Sequence, residues 1–336
     1  MTIRVGLIGA GLMGADHARI LSAEIPGVVL QYVCDADPAR AKKIADEHGA
    51  MHVARDPFAV IADTTIDAVL IASPDQTHAA LAKACVEAGK PVLCEKPLSQ
   101  DSGECLDVIA AEVKGGKRLV QIGFMRRFDP AYVAMKQTLA KGSIGPALMM
   151  HNFHRNVSAP ANFTGQMAIT NSAPHEFDIA RFVLDAEYES ICVFRPDFRD
   201  SGKTGAPVFM VLKTLAGQLV NVEINNNAAY GYDVRGELVG EKGSVFLRSP
   251  IASDMHVNLQ AITHYPADWR PRFAEAYRLQ NMAWLKSIAT GKPAGASAWD
   301  GYAATLIAEA GVRSLEKGAP VKVAPIDKPK LYGEPT

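Results

Sequence analysis

Ile3-Arg4-Val5-Gly6-Leu7-Ile8-Gly9-Ala10-Gly11-Leu12-Met13-Gly14 is the stretch that decides the fold. A short apolar run ends in the pattern G-x-G-x-x-G, and residues of helical period follow it. In that order Gly9 permits a tight turn, Gly11 leaves room for a pyrophosphate to approach the backbone, and Gly14 lets the helix pack on the strand. The helix N-terminus then offers N–H groups and a partial positive charge to an anion, with Leu12 and Met13 against the same ligand. Asp35 closes a second apolar run 21 residues beyond Gly14, near the distance at which an acidic residue receives the adenosine ribose 2′-hydroxyl. That spacing predicts NAD rather than NADP. Asp35 repels a 2′-phosphate and Ala36 supplies no guanidinium, although Arg40 on the next helix moderates the repulsion.

Outward from this unit, apolar runs alternate with helical stretches as far as about residue 122. Strands are predicted at 3–8, 28–34, 51–54, 68–72, 91–94 and 118–122, and helices at 13–23, 38–48, 77–88 and 102–113. Near-continuous apolar strings suit parallel strands covered on both faces. Gly49 and Gly89 stand where helix C-caps belong, and Pro38 falls in a first turn. After Asp129 the rhythm changes. One helix runs to about Ala140, Gly145-Pro146 breaks it, and runs at 147–152, 190–195, 208–214, 218–225, 233–239 and 244–247 read as one antiparallel sheet. Helices at about 272–289 and 299–316 close the chain. The expected architecture is α/β: a Rossmann doubly wound parallel sheet over 1–123, then an α+β domain over 124–336 with a large, mostly antiparallel open sheet. The last helices are allowed to pack back on the first domain.

The 336 residues suffice for two cores, and 35 Lys plus Arg against 36 Asp plus Glu leave a net charge of -1. A protein that tracks nucleic-acid phosphates is expected to carry a positive surplus, so no nucleic-acid partner is expected. No apolar window reaches the roughly 18 residues of a membrane span, and the start of the chain reads as a strand rather than a secretion leader. The expectation is a cytoplasmic protein with no membrane partner. Five scattered cysteines, without a Cys-x-x-Cys pair or a histidine at ligand spacing, read as reduced thiols with no metal site.

Two further segments fall at the carboxyl ends of predicted strands, where doubly wound sheets bind ligands. Ser73-Pro74-Asp75-Gln76-Thr77-His78 follows the fourth strand, which places Ser73, Pro74 and His78 beside the cofactor; Asp75 and Thr77 serve equally well as helix N-caps. Glu95-Lys96-Pro97 follows the fifth, where a bend at the X-Pro bond would aim Lys96 into the cleft and leave Glu95 near the cofactor.

Taken together, Gly9 to Gly14, Glu95-Lys96-Pro97 and a later His175 preceding a helix resemble the Gfo/Idh/MocA oxidoreductases. Within that family Gly123-Phe124-Met125-Arg126-Arg127-Phe128-Asp129, His154-Arg155-Asn156, Tyr230-Gly231-Tyr232-Asp233 and Trp299-Asp300-Gly301-Tyr302 look most like the inositol 2-dehydrogenase branch. The resemblance covers essentially the whole chain. It implies NAD-dependent hydride transfer involving a secondary alcohol or ketone of a cyclitol or sugar, in a homotetramer assembled through the open face of the second sheet. Lys96 would match the family's lysine, an ammonium that stabilises developing alkoxide charge. His175 would match its acid-base histidine, since imidazole titrates near neutral pH.

One departure stands out. The branch carries an aspartate where this chain has Asn171, within Met167-Ala168-Ile169-Thr170-Asn171-Ser172-Ala173-Pro174-His175. An amide can still hydrogen-bond but brings no negative charge to steady an imidazolium. Asn171 therefore joins Lys96 and His175 as the catalytic set while putting the substrate in question. Polyol recognition needs several converging donors and acceptors, for which Arg126, His154, Tyr232 and Tyr277 are candidates. Asp178 reads as an orienting or structural carboxylate, and Trp299 to Tyr302 as a helix start capped by Asp300 or a neighbour. Other readings are an aldose dehydrogenase, redox-assisted glycoside cleavage with resident NAD, and a non-catalytic NAD-dependent sensor.

Overall fold

The computed structural model describes residues 2–196, 207–248, 254–324 and 327–333. The chain divides into two compact units: Met1–Phe128, Ala276–Thr305 and Pro325–Thr336 form the first, and Asp129–Glu275 with Leu306–Ala324 the second. A single cut between 123 and 124 thus becomes a discontinuous division. The chain leaves the first unit at Phe128 and again at Thr305, and its closing helices contribute to both.

In the first unit β1 (Ile3–Ile8), β2 (Val28–Cys34), β3 (His52–Ala54), β4 (Ala68–Ile71), β5 (Val92–Cys94) and β6 (Val120–Ile122) pair in the order β6-β5-β4-β1-β2-β3. Every pair among these six is parallel. The order reverses direction beside β1, the switch point at which such sheets bind ligands. A two-residue strand, Ala296–Ser297, adds antiparallel to β6 and makes the sheet seven-stranded. Helices α1 (Leu12–Ala23), α2 (Pro38–His48), α3 (Pro57–Ala62), α4 (His78–Glu87) and α5 (Ser102–Gly115) fall between the strands. Val5, Leu7, Val33, Leu70 and Leu93 are buried with Leu21 and Trp284 in one core, as strands covered on both faces require. Asp37 and Asp101 cap α2 and α5 with their carboxylates, and Gly49 and Gly116 end those helices in left-handed conformation. The expected Gly89 is also left-handed. The helix α3 was not expected; six residues are too few to show a period, although Asp56 caps it and Pro57 opens it.

The second unit holds α6 (Pro130–Ala140), β7 (Ala147–Arg155), the short turn α7 (Gly165–Met167), a π-helical turn (Ala168–Ser172) and α8 (Pro174–Leu184). Strands β8 (Tyr188–Phe194), β9 (Val208–Thr214), β10 (Leu219–Asn225), β11 (Asp233–Gly240) and β12 (Gly243–Phe246) follow, in the order β12-β11-β7-β10-β9-β8, with Val321–Lys322 at the edge beside β8. All pairs are antiparallel except β7 with β10, which run parallel. This is the expected large, mostly antiparallel sheet, and its one parallel pair is possible because the chain between β7 and β10 is long enough for a crossover connection. A separate hairpin, β13 (Asp254–Val257) and β14 (Gln260–Thr263), was likewise not expected. Register separates the two faces of the large sheet. Ile191, Leu212, Val220, Met150 and Leu238 align across five strands as a buried row. Phe194, Phe209, Glu223, Phe153 and Arg235 align on the opposite face, where Phe194 and Phe209 are exposed.

Helices α9 (Arg270–Thr290) and α10 (Ala298–Lys317) run across the division. The start of α10 is a capping box: Asp300 accepts from the backbone and hydroxyl of Ser297, each at 2.8 Å, and its own N–H returns to the Ser297 hydroxyl. Among the described residues no helix is long and apolar enough to cross a membrane. None of the five cysteines forms a disulfide.

Within the first unit Glu112 on α5 is fully buried. It accepts from Leu119 N–H, Val120 N–H and the Tyr332 hydroxyl. Burial pushes its carboxyl above the ordinary range, against the lowering effect of those hydrogen bonds. Tyr332→Phe leaves one carboxylate oxygen without its donor and is expected to cost about 1–3 kcal/mol in urea denaturation. A folded-state pKa raised above the unfolded one gives a contribution complete below the unfolded value and lost as pH rises through the folded one. Glu112→Gln, which stays neutral, is therefore expected to flatten that part of the stability–pH curve.

Candidate active site

The turn between β1 and α1 is built by close approach. Gly9 has φ +97°, and a Cβ on it would lie 2.4 Å from the carbonyl carbon and oxygen of Ala72. A Cβ on Gly14 would lie 1.9 Å from Gly9 O. Gly11 differs: a Cβ there meets nothing of the protein within 4 Å. The fold does not require glycine at 11, so the space belongs to a ligand. No side chain caps α1, and no acidic residue occupies its first turn. Leu12 is 60% exposed at the same place.

Asp35 follows β2 and is buried. Its carboxylate accepts from Ala10 N–H at 2.8 Å, Asp37 N–H at 2.9 Å and Arg40 Nη2 at 2.7 Å. Burial opposes its charge, but the Arg40 guanidinium and the two backbone donors outweigh that and hold the carboxyl below the ordinary range. Arg40 is thus engaged with Asp35 itself. A cleft of about 470 Å³ lies here, lined among others by Gly9, Asp35, Ser73, Pro74 and Phe58. Phe58 sits on α3, so the helix missed in the sequence supplies an aromatic wall; the Asp56-Pro57 cap signal was its one legible mark. An anion-ready helix end, an acceptor for a ribose hydroxyl and a mostly apolar cleft fit a dinucleotide.

The neighbouring loops are clasped from inside. Ser73 Oγ and Thr77 Oγ1 are 2.6 Å apart, and Thr77 opens α4 without capping it through its side chain. His78 is almost fully buried, its ring between Pro97 O at 2.7 Å and Ser73 O at 2.8 Å. That side chain ties the two loops together. Lys96 follows β5, and its bond to Pro97 is cis. Glu95 turns its carboxylate inward, onto His17 Nε2 at 2.8 Å. Arg126 is buried on the 3₁₀ turn Met125–Phe128, and Tyr277 on α9 packs edge-on against the His17 ring. Lys96, Arg126 and Tyr277 all belong to the first unit.

In the second unit the structure brings together His154, His175 and Tyr232. The His154 ring centroid is 6.4 Å from that of His175 and 6.1 Å from that of Tyr232. His154 lies on the inner face of β7 and its Nδ1 is 3.1 Å from Glu176 Oε2; Glu176 is fully buried. His175 occupies the first turn of α8 rather than preceding it, and its Nδ1 is buried. Asp178 is buried one turn on. Asn171 lies in the π-helical turn, an irregularity frequent at functional sites and invisible to a 3.6-residue period. The Thr170 hydroxyl donates to its amide oxygen at 2.7 Å. Arg155 instead serves the open face: it forks onto Glu223 and donates to the Tyr230 hydroxyl, which itself donates to Asp233. Among the described residues no group of three or more His, Cys, Asp or Glu side chains could hold a metal.

With that geometry in place, comparison with known proteins is decisive. The oxidoreductase family model for the NAD-binding Rossmann fold matches residues 3–124, and the model for the same family's C-terminal alpha/beta domain matches 136–323. The chain belongs to the Gfo/Idh/MocA oxidoreductase family. It is 50% identical to inositol 2-dehydrogenase 1 of Saccharopolyspora erythraea over 99% of this chain and 100% of that one. It is 39% identical to the inositol 2-dehydrogenase of Acidothermus cellulolyticus over 99% and 98%. Among solved structures, a myo-inositol dehydrogenase from Lactobacillus casei in complex with NAD(H) and myo-inositol superposes with a TM-score of 0.94 at 30% identity, covering 99% of this chain and all of that one. The expected α/β architecture and NAD as cofactor are thereby established for an oxidoreductase of this family.

The two glycines separate ligand from fold. Gly11→Ala is expected to leave the thermal midpoint within about 2 °C while weakening NAD binding by roughly tenfold or more, since the added methyl meets only ligand. Gly14→Ala is expected to lower the midpoint itself. Calorimetric melting and NADH fluorescence titration read the two effects apart.

Proposed function

We propose that this oxidoreductase oxidises a secondary hydroxyl of an inositol-type cyclitol to the ketone. The observation that carries the reading is the cluster of His154, His175 and Tyr232 backed by buried Glu176: several polar tips gathered on aromatic walls, as a polyhydroxylated ring requires. The full-length similarity to inositol 2-dehydrogenases supports it. NAD, when bound, supplies the hydride acceptor. Gly9, Gly11, Leu12, Met13 and Gly14 hold the pyrophosphate, Asp35 takes the ribose hydroxyls, and the loops of Ser73-Pro74 and Glu95-Lys96, clasped by His78, form the wall.

The Lys96 ammonium steadies the negative charge that grows on the substrate oxygen, an interaction strongest when the oxygen is most anionic. His175 takes the hydroxyl proton; with Nδ1 buried, Nε2 is the nitrogen that does so. Asn171 hydrogen-bonds without adding charge. Arg126, His154, Tyr232 and Tyr277 read the remaining hydroxyls. The enzyme works in the cytoplasm as a homotetramer, with the row of Phe194, Phe209 and Phe153 on the open sheet face as the apolar part of the contact.

NADH formation from saturating NAD with myo-inositol, scyllo-inositol, other isomers and an aldose panel is expected to be fastest with an inositol. An aldose in first place would move the substrate class, and silence with NAD still bound would favour redox-assisted cleavage or a sensor. Asn171→Asp is expected to raise turnover of the preferred inositol about tenfold for each ~1.4 kcal/mol by which a carboxylate steadies the imidazolium. Light scattering is expected to give four copies per particle, and Phe209→Glu to give fewer.

A further inference from the structure

We propose that Glu95 is the positioning residue for Lys96, and that His17 on α1 holds it in place. The idea rests on the reading of Lys96 given above. Glu95 ends β5 with its N–H donating to Ile71 O at 2.8 Å, so its backbone belongs to the sheet. Its carboxylate is buried and engaged on both oxygens. Oε1 receives the His17 ring at 2.8 Å, and Oε2 receives the N–H of Lys96 at 3.3 Å. His17 is 1% exposed, and the Asn281 amide donates to its Nδ1 at 3.1 Å. That leaves the ring proton on Nε2, where it is donated to Glu95. Donors therefore run in one direction, from Asn281 on α9 through His17 to Glu95, and the carboxylate ends the line beneath Lys96.

Space is built for this carboxylate. A Cβ on Gly123 would lie 2.9 Å from Glu95 Oε2 and 3.0 Å from its Cδ. Taking a histidine and a carboxylate out of water is unfavourable, and an apolar pair of the same volume would stabilise the fold at least as well. What the polar pair supplies is a fixed acceptor for the backbone N–H of Lys96. The pair also links two parts of the site. His17 stands on the buried face of α1, the helix whose first turn faces the dinucleotide, and Glu95 stands next to the lysine. Tyr277 closes the side of the ring at a centroid distance of 5.8 Å.

The test uses full-length protein carrying Glu95→Gln, His17→Asn, His17→Gln, the pair His17→Asn with Glu95→Gln, and Lys96→Ala. Readouts are kcat and KM for the polyol that the wild type oxidises fastest, and Kd for NADH by fluorescence. Glu95→Gln turns the acceptor facing Lys96 N–H into a donor or removes its charge, and kcat is expected to fall about 10- to 100-fold, the loss typical of a small misplacement. NADH Kd is expected to change by much less than kcat, because the Glu95 carboxylate turns inward onto His17. His17→Asn is expected to behave likewise. His17→Gln, whose amide reaches the position of Nε2, is expected to recover about tenfold over His17→Asn. The double variant is expected to lose no more than the worse single one, as residues acting through each other do. Wild-type kcat in Glu95→Gln and His17→Asn alongside a collapsed Lys96→Ala overturns the proposal alone. So do losses that multiply, or that track NADH Kd. Undiminished turnover in Lys96→Ala overturns the reading of Lys96 and this proposal with it. Should Glu95→Gln fail to fold, the contrast between His17→Asn and His17→Gln decides, and equal loss in both overturns it.

Discussion

The cofactor edge depends on an approach of backbone to backbone that no side chain survives. Helix α1 passes so close to the turn after β1 that a Cβ on Gly14 would stand 1.9 Å from Gly9 O, and a Cβ on Gly9 would stand 2.4 Å from the Ala72 carbonyl. This contact fixes where the helix begins and therefore where its unpaired N–H groups face. It also brings Ala10 N–H within 2.8 Å of Asp35, so the acidic residue that closes β2 is held by the same turn that receives the pyrophosphate. From there the buried face of α1 carries His17 to Glu95. One steric constraint thus sets three chemical positions: the helix end, the ribose acceptor and the loop of Lys96.

The two units place polar groups by different means. In the first they sit at the carboxyl ends of parallel strands, where the sheet's own geometry opens a crevice, and buried side chains such as His78 and Glu95 tie the loops. The second has an almost dry inner face, with Ile191, Leu212, Val220, Met150 and Leu238 aligned across it. Polar groups enter at its rim. His154 stands on β7 beside Ile224 and Val234, and Glu176 on α8 provides a partner for its ring. Histidine there is affordable to the fold because the carboxylate is already buried against it.

Much of this was legible in the sequence, for reasons particular to each element. Parallel strands buried on both faces leave apolar runs, so β1, β2 and β4 were read to within a residue or so, and Pro38 and Gly49 marked the ends of α2. Strand adjacency leaves no such mark: nothing in the alternation of β7 or β10 says that they pair in parallel. The β13 to β14 turn holds Asn258 and Leu259 at φ 50° and 62°, a geometry usually announced by Asn-Gly, and Leu gives no such signal. For the site, Gly11, Asp35, Lys96 and His175 could be named from spacing and resemblance. The partners that hold them could not. His17, Glu176 and Asn281 lie on helical faces where a polar residue reads as ordinary, and only packing shows that His17 is buried against Asn281 and Glu176 against His154.

Asn171 is where the chain departs from the pattern it otherwise follows, and its surroundings limit what the departure can do. Its amide oxygen accepts the Thr170 hydroxyl and keeps a second lone pair, while its NH2 group donates. Such a group can bond a substrate hydroxyl or an imidazole in either protonation state, but it carries no negative charge. If His175 takes the proton as proposed, residue 171 gives it no counter-charge. An imidazolium so placed is a readier proton donor than one beside a carboxylate, and by microscopic reversibility that helps the return of a proton to a ketone as much as it hinders its removal from an alcohol. The overall equilibrium is untouched, since it belongs to the reactants. What the amide would change is the pH range over which a neighbouring imidazole exchanges its proton, not the direction in which the reaction runs.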